Sequence, residues 1–212
     1  DTPDEVLPAL LAMEQARAEG QWLAGAASYE LGYMFSRKLT DLMPATRDIP
    51  LLQFGVFTTP SSKRKAAPTD TAALSAPVPD WTLDDYTAAF NTVKDYIGAG
   101  DIYQANLTFP LTCKRTGSLD ALYAALQAKQ SVPFGALVDL GGPALLSRSP
   151  ELFFSIDANR NIRARPMKGT APRGGTPEED AALAKWLQRS EKNRAENLMI
   201  VDLLRNDMSR IS

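Results

Sequence analysis

There is no histidine among the 212 residues of this chain. That absence removes a Ser-His or Cys-His nucleophile pair and a His-ligated zinc site. Acid–base work then falls to carboxylates, lysine or tyrosine, and a metal would sit among oxygen ligands, which favours magnesium, calcium or manganese. A single cysteine, Cys113, leaves no internal disulfide framework and fits a reducing compartment, so the expected location is the cytoplasm. No apolar run approaches the ~20 residues that a membrane-spanning helix needs, so no membrane span is expected. The 23 Lys and Arg nearly cancel the 25 Asp and Glu, for a net charge of −2. Such a balance offers no global field to nucleic acid or an anionic membrane. The acidic, amphipathic start, DTPDEVLPALLAMEQARAEG, is unlike a signal or transit peptide. What is present is 44% hydrophobic residues, enough for a real core in one large domain or two small ones.

Residues 3 to 19 place Val6, Leu10, Met13 and Ala16 at helical spacing, with Gly20 as the stop. WLAGAASYE and LLQFGVFTT read as strands. Residues 59 to 80, rich in Pro, Ser, Thr and Ala without periodicity, predict a long mobile loop inside one domain that spans 1–212. WTLDDYTAAFNTVKDYIGAG predicts a helix with Thr82 or Asp84 as N-cap and Gly98 and Gly100 as terminators. IYQANLTFPLTC alternates like a strand, and SLDALYAALQAKQ returns to helix after Ser118. FGALVDL, ALLSRS, ELFFSID and NIRARP predict an antiparallel meander. TPEEDAALAKWLQRS starts a helix with Thr176 as N-cap, Pro177 at the first helical position and acidic residues in the first turn, and a final helix runs through EKNRAENLMIVDLLRND. Its core face is expected to hold Leu198, Val201 and Leu204. Helices interspersed with hairpins predict an α+β fold, antiparallel sheets flanked by helices.

Between the last strand and the TPEED helix lies RPMKGTAPRGG, where Lys168 stands among turn-forming residues. A phosphate-binding P-loop needs its glycines before the lysine and a helix directly after it. Here Gly169 and Thr170 follow the lysine and Pro172 interrupts, so the order is wrong. An exposed loop lysine and a nucleophile remain. For the second, Pro166, Gly169, Pro172, Gly174 and Gly175 restrict the path, as in loops that hold catalytic groups on a rigid scaffold. An ordinary lysine is almost wholly protonated at neutral pH, so a nucleophile needs desolvation or a neighbouring base. SPELFF supplies a carboxylate, Glu151, on the strand that pairs through DANRN with the strand entering the loop. The two residues make either an acid–base and nucleophile pair or a surface ion pair that stabilises by ~0–1 kcal/mol. In the last helix Glu196 shares a face with Met199 and Ile200, which makes it an inward carboxylate and a possible magnesium ligand, or else part of a solvated face.

Taken together, GDIYQANLT (100–108), SRSPELFF (147–154), RPMKGTAPRG (165–174) and RAENLMIVDLLRND (194–207) resemble the chorismate-utilising enzymes. This family includes the aminodeoxychorismate synthases (component I), the anthranilate synthases, and the isochorismate and salicylate synthases. The four segments occur in the family's order and spacing, and AGAASYELGYMF with LLQFGVF looks like the start of the aminodeoxychorismate branch. The resemblance implies a partial anthranilate synthase/aminodeoxychorismate synthase-like fold. It also implies amination of chorismate at C4 by ammonia through a covalent lysine intermediate, toward p-aminobenzoate and folate.

In that resemblance Lys168 is the nucleophile, because anthranilate and water-using members carry alanine there. Glu151 is the general acid/base. Gln104 replaces the lysine that activates water in the isochorismate and salicylate branches. Gly169 and Thr170 lie against the substrate, and Glu196 is one of the carboxylates that hold Mg²⁺. Ammonia comes from a glutamine amidotransferase subunit or domain. The family extends beyond RNDMSRI, so the expectation is a fragment, N-terminal to central in the domain and inactive alone, with edges prone to association. The alternatives are anthranilate synthase component I and a non-catalytic small-molecule-binding domain.

Overall fold

The computed structural model describes residues 1–63 and 66–211. In chain order the elements are α1 (Pro3–Ala18), β1 (Trp22–Ala27), a 3-10 helix (Tyr29–Phe35), α2 (Arg37–Thr40), β2 (Leu52–Phe57), β3 (Ala73–Leu74), β4 (Val78–Pro79) and α3 (Leu83–Ala99). There follow β5 (Leu111–Thr112), β6 (Arg115–Thr116), α4 (Leu119–Lys129), β7 (Phe134–Val138), β8 (Leu145–Ser149), β9 (Leu152–Ile156), β10 (Ile162–Arg165), α5 (Pro177–Arg189) and α6 (Glu191–Met208). Every strand pairing among the described residues is antiparallel, so the α+β class read from the sequence holds. The chain forms two compact units, Asp1–Pro60 with the chain from Ser131 onward, and Ser61–Gln130.

In the first unit β1 and β2 pair from Trp22↔Phe57 to Ala27↔Leu52. A Cβ on Gly25 would run into the Gln53 carbonyl and the Phe54 backbone, which explains glycine in mid-strand. α1 packs on this pair, and its Val6 and Ala16 are buried along with Leu51, which is fully enclosed. Gln53 Nε2 donates to the Leu140 carbonyl at 3.3 Å, joining the sheet to the end of the β7–β8 hairpin.

The four β-like runs before the Lys168 loop form two hairpins, β7–β8 and β9–β10, rather than one meander. Only Pro150 and Glu151 separate β8 from β9. A two-residue hairpin turn of type I′ or II′ needs a positive φ at its first position, which proline cannot adopt. The link is instead closed by Ser149, whose Oγ donates to the Glu151 carbonyl at 2.9 Å and accepts the Glu151 N–H at 3.3 Å.

In the second unit, α3 starts at Thr82, whose Oγ1 accepts the Asp85 N–H, and stops at Gly100 in the left-handed region with φ 81°. The segment expected as a loop over 59–80 carries β3 and β4, paired with β6 and β5. Arg64 and Lys65, within that segment, lie outside the described residues. Asp70 accepts the Ser118 N–H at 2.7 Å and the Ser118 hydroxyl at 2.9 Å, tying the segment to the start of α4. The strand expected over IYQANLTFPLTC shrinks to β5, and residues 102–110 are irregular. Alternation marks a segment suited to a sheet, but a ladder needs a partner. Its partner β4 is two residues long and includes Pro79, which has no N–H to donate.

Candidate functional site

The site begins with the turn of the β9–β10 hairpin. Asp157 Oδ1 accepts the N–H groups of Asn159 and Asn161, both at 2.9 Å, and Oδ2 accepts the Asn161 carboxamide at 2.9 Å. The Asn161 side chain, then the Asn161 N–H, hold the Asp157 carboxyl below the usual carboxylate range. This turn sets the register that brings Arg165 opposite Leu152, with an irregularity between Arg163 and Arg165. Glu151 therefore stands level with the chain leaving β10. Its Oε1 accepts the Met167 N–H at 2.9 Å, one residue before Lys168. The expected proximity of Glu151 to the Lys168 loop is thus a hydrogen bond to the loop's backbone.

Lys168 is half-buried, and among the described residues its amine has neither a hydrogen-bond nor an ion-pair partner. Gly169 follows at φ 76°, a left-handed conformation that glycine adopts without strain. Thr170 is exposed. At the far end of the loop the first turn of α5 takes hold. Asp180 accepts the Gly174 N–H at 3.0 Å and pairs with Arg173 at 2.9 Å. Glu179 Oε2 accepts the N–H groups of Gly175 at 2.8 Å and Thr176 at 3.2 Å, while Thr176 Oγ1 accepts the Glu179 N–H at 3.2 Å. Sequence reading took the acidic residues of TPEED as a helix start and missed that they also close the loop. The GG directly before the cap was the available signal.

α6 supplies the third side. Asn193, in its first turn, has its carboxamide against Gly169, and a Cβ there would meet Asn193 Cγ and Oδ1 at 2.9 Å. Glu196 lies one turn further on. It is half-buried on the face of Met199 and Ile200, as expected, and reaches Lys192 at 3.9 Å. The expected core face is corrected in part. Leu204 is half-buried, but Leu198 and Val201 are 63% and 39% exposed. At 100° per residue those two lie about opposite Glu196. With Arg189 and Arg194 they line an open groove of about 890 Å³, away from the Lys168 loop. No group of three Asp, Glu or Cys side chains able to hold a metal occurs among the described residues. The one carboxylate Glu196 still suits Mg²⁺, which is commonly held by one or two carboxylates plus ligand oxygens and waters.

The first unit therefore brings Glu151, Lys168, Gly169, Thr170 and Glu196 onto one loop and the two elements that brace it. Gln104 belongs to the second unit, exposed in the irregular segment before β5.

Lys168 is thus a half-buried residue in a loop held at both ends, with the Glu151 carboxylate bonded to the loop backbone. Residues 4–212 match the family described as chorismate binding enzyme, and the chain belongs to that family. Among individual proteins, it is 44% identical over 127 residues to an aminodeoxychorismate synthase of Streptomyces griseus, covering 60% of this chain and 18% of that protein. It is 42% identical over 137 residues to aminodeoxychorismate synthase component 1 of Escherichia coli K12, covering 63% of this chain and 30% of that one. Anthranilate synthase component 1 of Thermus thermophilus is 41% identical over 133 residues, 63% of this chain and 29% of that protein. The chain spans less than a third of the length of each of these relatives.

Proposed function

We propose that this chain carries the lysine-bearing part of an aminodeoxychorismate synthase, which aminates chorismate at C4 to 4-amino-4-deoxychorismate for p-aminobenzoate and folate synthesis. The observation that carries the reading is the hydrogen bond from the Met167 N–H to Glu151 Oε1, one residue before Lys168, whose amine has no partner among the described residues.

In the first step the neutral Lys168 amine bonds to C2 of chorismate, the two ring double bonds shift, and the C4–O bond breaks. Glu151 gives its proton to the departing hydroxyl, which leaves as water. Ammonia then bonds to C4, the double bonds shift back, and the C2–N bond breaks to restore the lysine. Glu151 takes the proton from the new C4 amine, so the cycle closes as chorismate plus ammonia giving product plus water. Gly169 and Thr170 offer an N–H and a hydroxyl to a substrate carboxylate. Gln104, a neutral amide, is not itself a base for water, in keeping with ammonia rather than water as the incoming group.

Glu196 is the chain's ligand for Mg²⁺, which when bound neutralises the charge of a substrate carboxylate. Ammonia is drawn from a glutamine amidotransferase subunit or domain, and the reaction takes place in the cytoplasm. No helix among the described residues is long and apolar enough to cross a membrane.

The test uses the intact gene product with chorismate, Mg²⁺ and ammonium, followed by intact-mass spectrometry and product identification. An adduct on Lys168 that disappears in Lys168→Ala, with aminodeoxychorismate as product, is the expected result. Turnover and adduct unchanged in Lys168→Ala would sink the nucleophile role. Anthranilate as the product would support the second reading, raised by the Thermus relative, in which Lys168 is a passive replacement.

A further inference from the structure

Gly169 is constrained twice. Its φ of 76° favours glycine, and its missing Cβ leaves space that the Asn193 side chain fills. A Cβ built there would lie 2.9 Å from Asn193 Cγ and 2.9 Å from Oδ1, closer than such atoms approach, and a tight 3.1 Å from Cβ, so the Asn193 side chain would have to shift. The Lys168 loop thus rests on one side chain of α6, and a helix side chain makes a firmer support than another loop would. Asn193 is held in turn by the start of its helix, where its N–H donates to Ser190 Oγ at 3.4 Å. Three residues on, roughly 4.5 Å along the helix axis, stands Glu196. One rigid turn therefore joins the support beneath the lysine loop to the carboxylate.

We propose that Asn193 is a positioning residue: by shape it seats the Gly169 turn and so sets where the Lys168 amine stands relative to Glu196. This rests on the reading of Lys168 as the nucleophile. Glu151 anchors the loop before Lys168 and Asn193 seats it just after, so both the approach and the exit of the chain around the amine are determined. The role is steric, so an isosteric residue will serve and a shorter one will not.

The test reads Lys168 itself. The intact gene product is labelled with trinitrobenzenesulfonate across a pH series and digested, and the Lys168 peptide is followed by mass spectrometry. Lys38 and Lys129 serve as internal references. In Asn193→Ala and in Asn193→Ser, which serves should the alanine variant not fold, the Lys168 rate and its pH profile shift while the reference lysines keep theirs. Asn193→Leu, which keeps the number and branching of side-chain heavy atoms without adding charge, retains the parent profile. In turnover with chorismate and ammonium, kcat falls by roughly ten- to a hundredfold in the shortened variants, with KM for chorismate much less affected. Gly169→Ala combined with Asn193→Ala is less impaired than the product of the single effects, because the shortened side chain vacates the space the new Cβ enters. Additive effects, a leucine variant as impaired as alanine, or an unchanged Lys168 profile in Asn193→Ala and Asn193→Ser would each overturn the proposal. A Lys168→Ala protein that still forms the chorismate adduct would remove the nucleophile reading instead, while the labelling coupling between Asn193 and Lys168 stayed as measured.

Discussion

Glu151 has two carboxylate oxygens, and the Met167 N–H occupies one of them. Oε1 fixes the loop, and in the proposed reaction Oε2 is left for proton transfer, so one side chain would hold two separable tasks. Glutamine can do the first, since its carbonyl accepts the same N–H, but it cannot donate or take the catalytic proton. In Glu151→Gln the intact protein is expected to lose about 10²- to 10⁴-fold in turnover while hydrogen exchange at the Met167 amide stays slow. In Glu151→Ala both are lost, and the amide exchanges faster. Fast exchange in the glutamine variant would show that loop order and proton transfer cannot be separated at this residue. Lys168 differs in kind. The structure gives its amine no partner among the described residues, which leaves the nitrogen lone pair uncommitted once the proton is gone.

At the scale of elements, the first turn of α5 has the most to do. Thr176 and Glu179 satisfy each other's N–H groups in a capping box, and Glu179 and Asp180 also bind the amides of Gly175 and Gly174. The helix start and the end of the lysine loop are therefore one hydrogen-bonded unit. Removing the cap in Thr176→Ala leaves the Glu179 N–H unsatisfied and is expected to cost about 1 kcal/mol. The readout is a lower urea midpoint with an unchanged denaturant slope. Loss of the midpoint shift would mean that Glu179 and Asp180 hold the turn without the hydroxyl. The Arg173–Asp180 pair adds little to this, because the arginine is 89% exposed and such pairs contribute ~0–1 kcal/mol.

For the whole molecule, each unit carries carboxylates whose folded-state acidity is raised by hydrogen bonds. Glu5 is lowered, first by the Thr2 N–H. Asp157, in the same unit, is lowered first by the Asn161 side chain. In the second unit Asp70 is lowered first by the Ser118 N–H, and Asp85 first by the Thr82 hydroxyl. A depressed carboxylate stabilises the fold above its ordinary pKa and loses that contribution as pH falls through the folded value. Thermal stability is therefore expected to be level above about pH 5 and to decline below about pH 4, with Asp70→Asn flattening the decline. All four groups are exposed, so added salt reduces the electrostatic part of the effect. A melting temperature that rose on acidification would contradict this assignment.

Local chemistry made much of this chain legible in its sequence. The caps Thr82, Ser118 and Thr176 and the terminator Gly100 stand where turn and helix chemistry placed them, because each acts within about one helical turn. The α+β class and the nearness of Glu151 to the Lys168 loop were also legible, since a short hairpin brings its two ends together. Tertiary structure alone decided which strands found partners and why the segment before β5 stays irregular. It decided that Leu198 and Val201 face an open groove while Glu196 shares a half-buried face with Met199 and Ile200. It also decided the meeting of Gly169 with Asn193, 24 residues apart, which no local pattern encodes. Propensity, capping and spacing act over a few residues, whereas the seat beneath the Lys168 loop depends on how a loop and a helix pack.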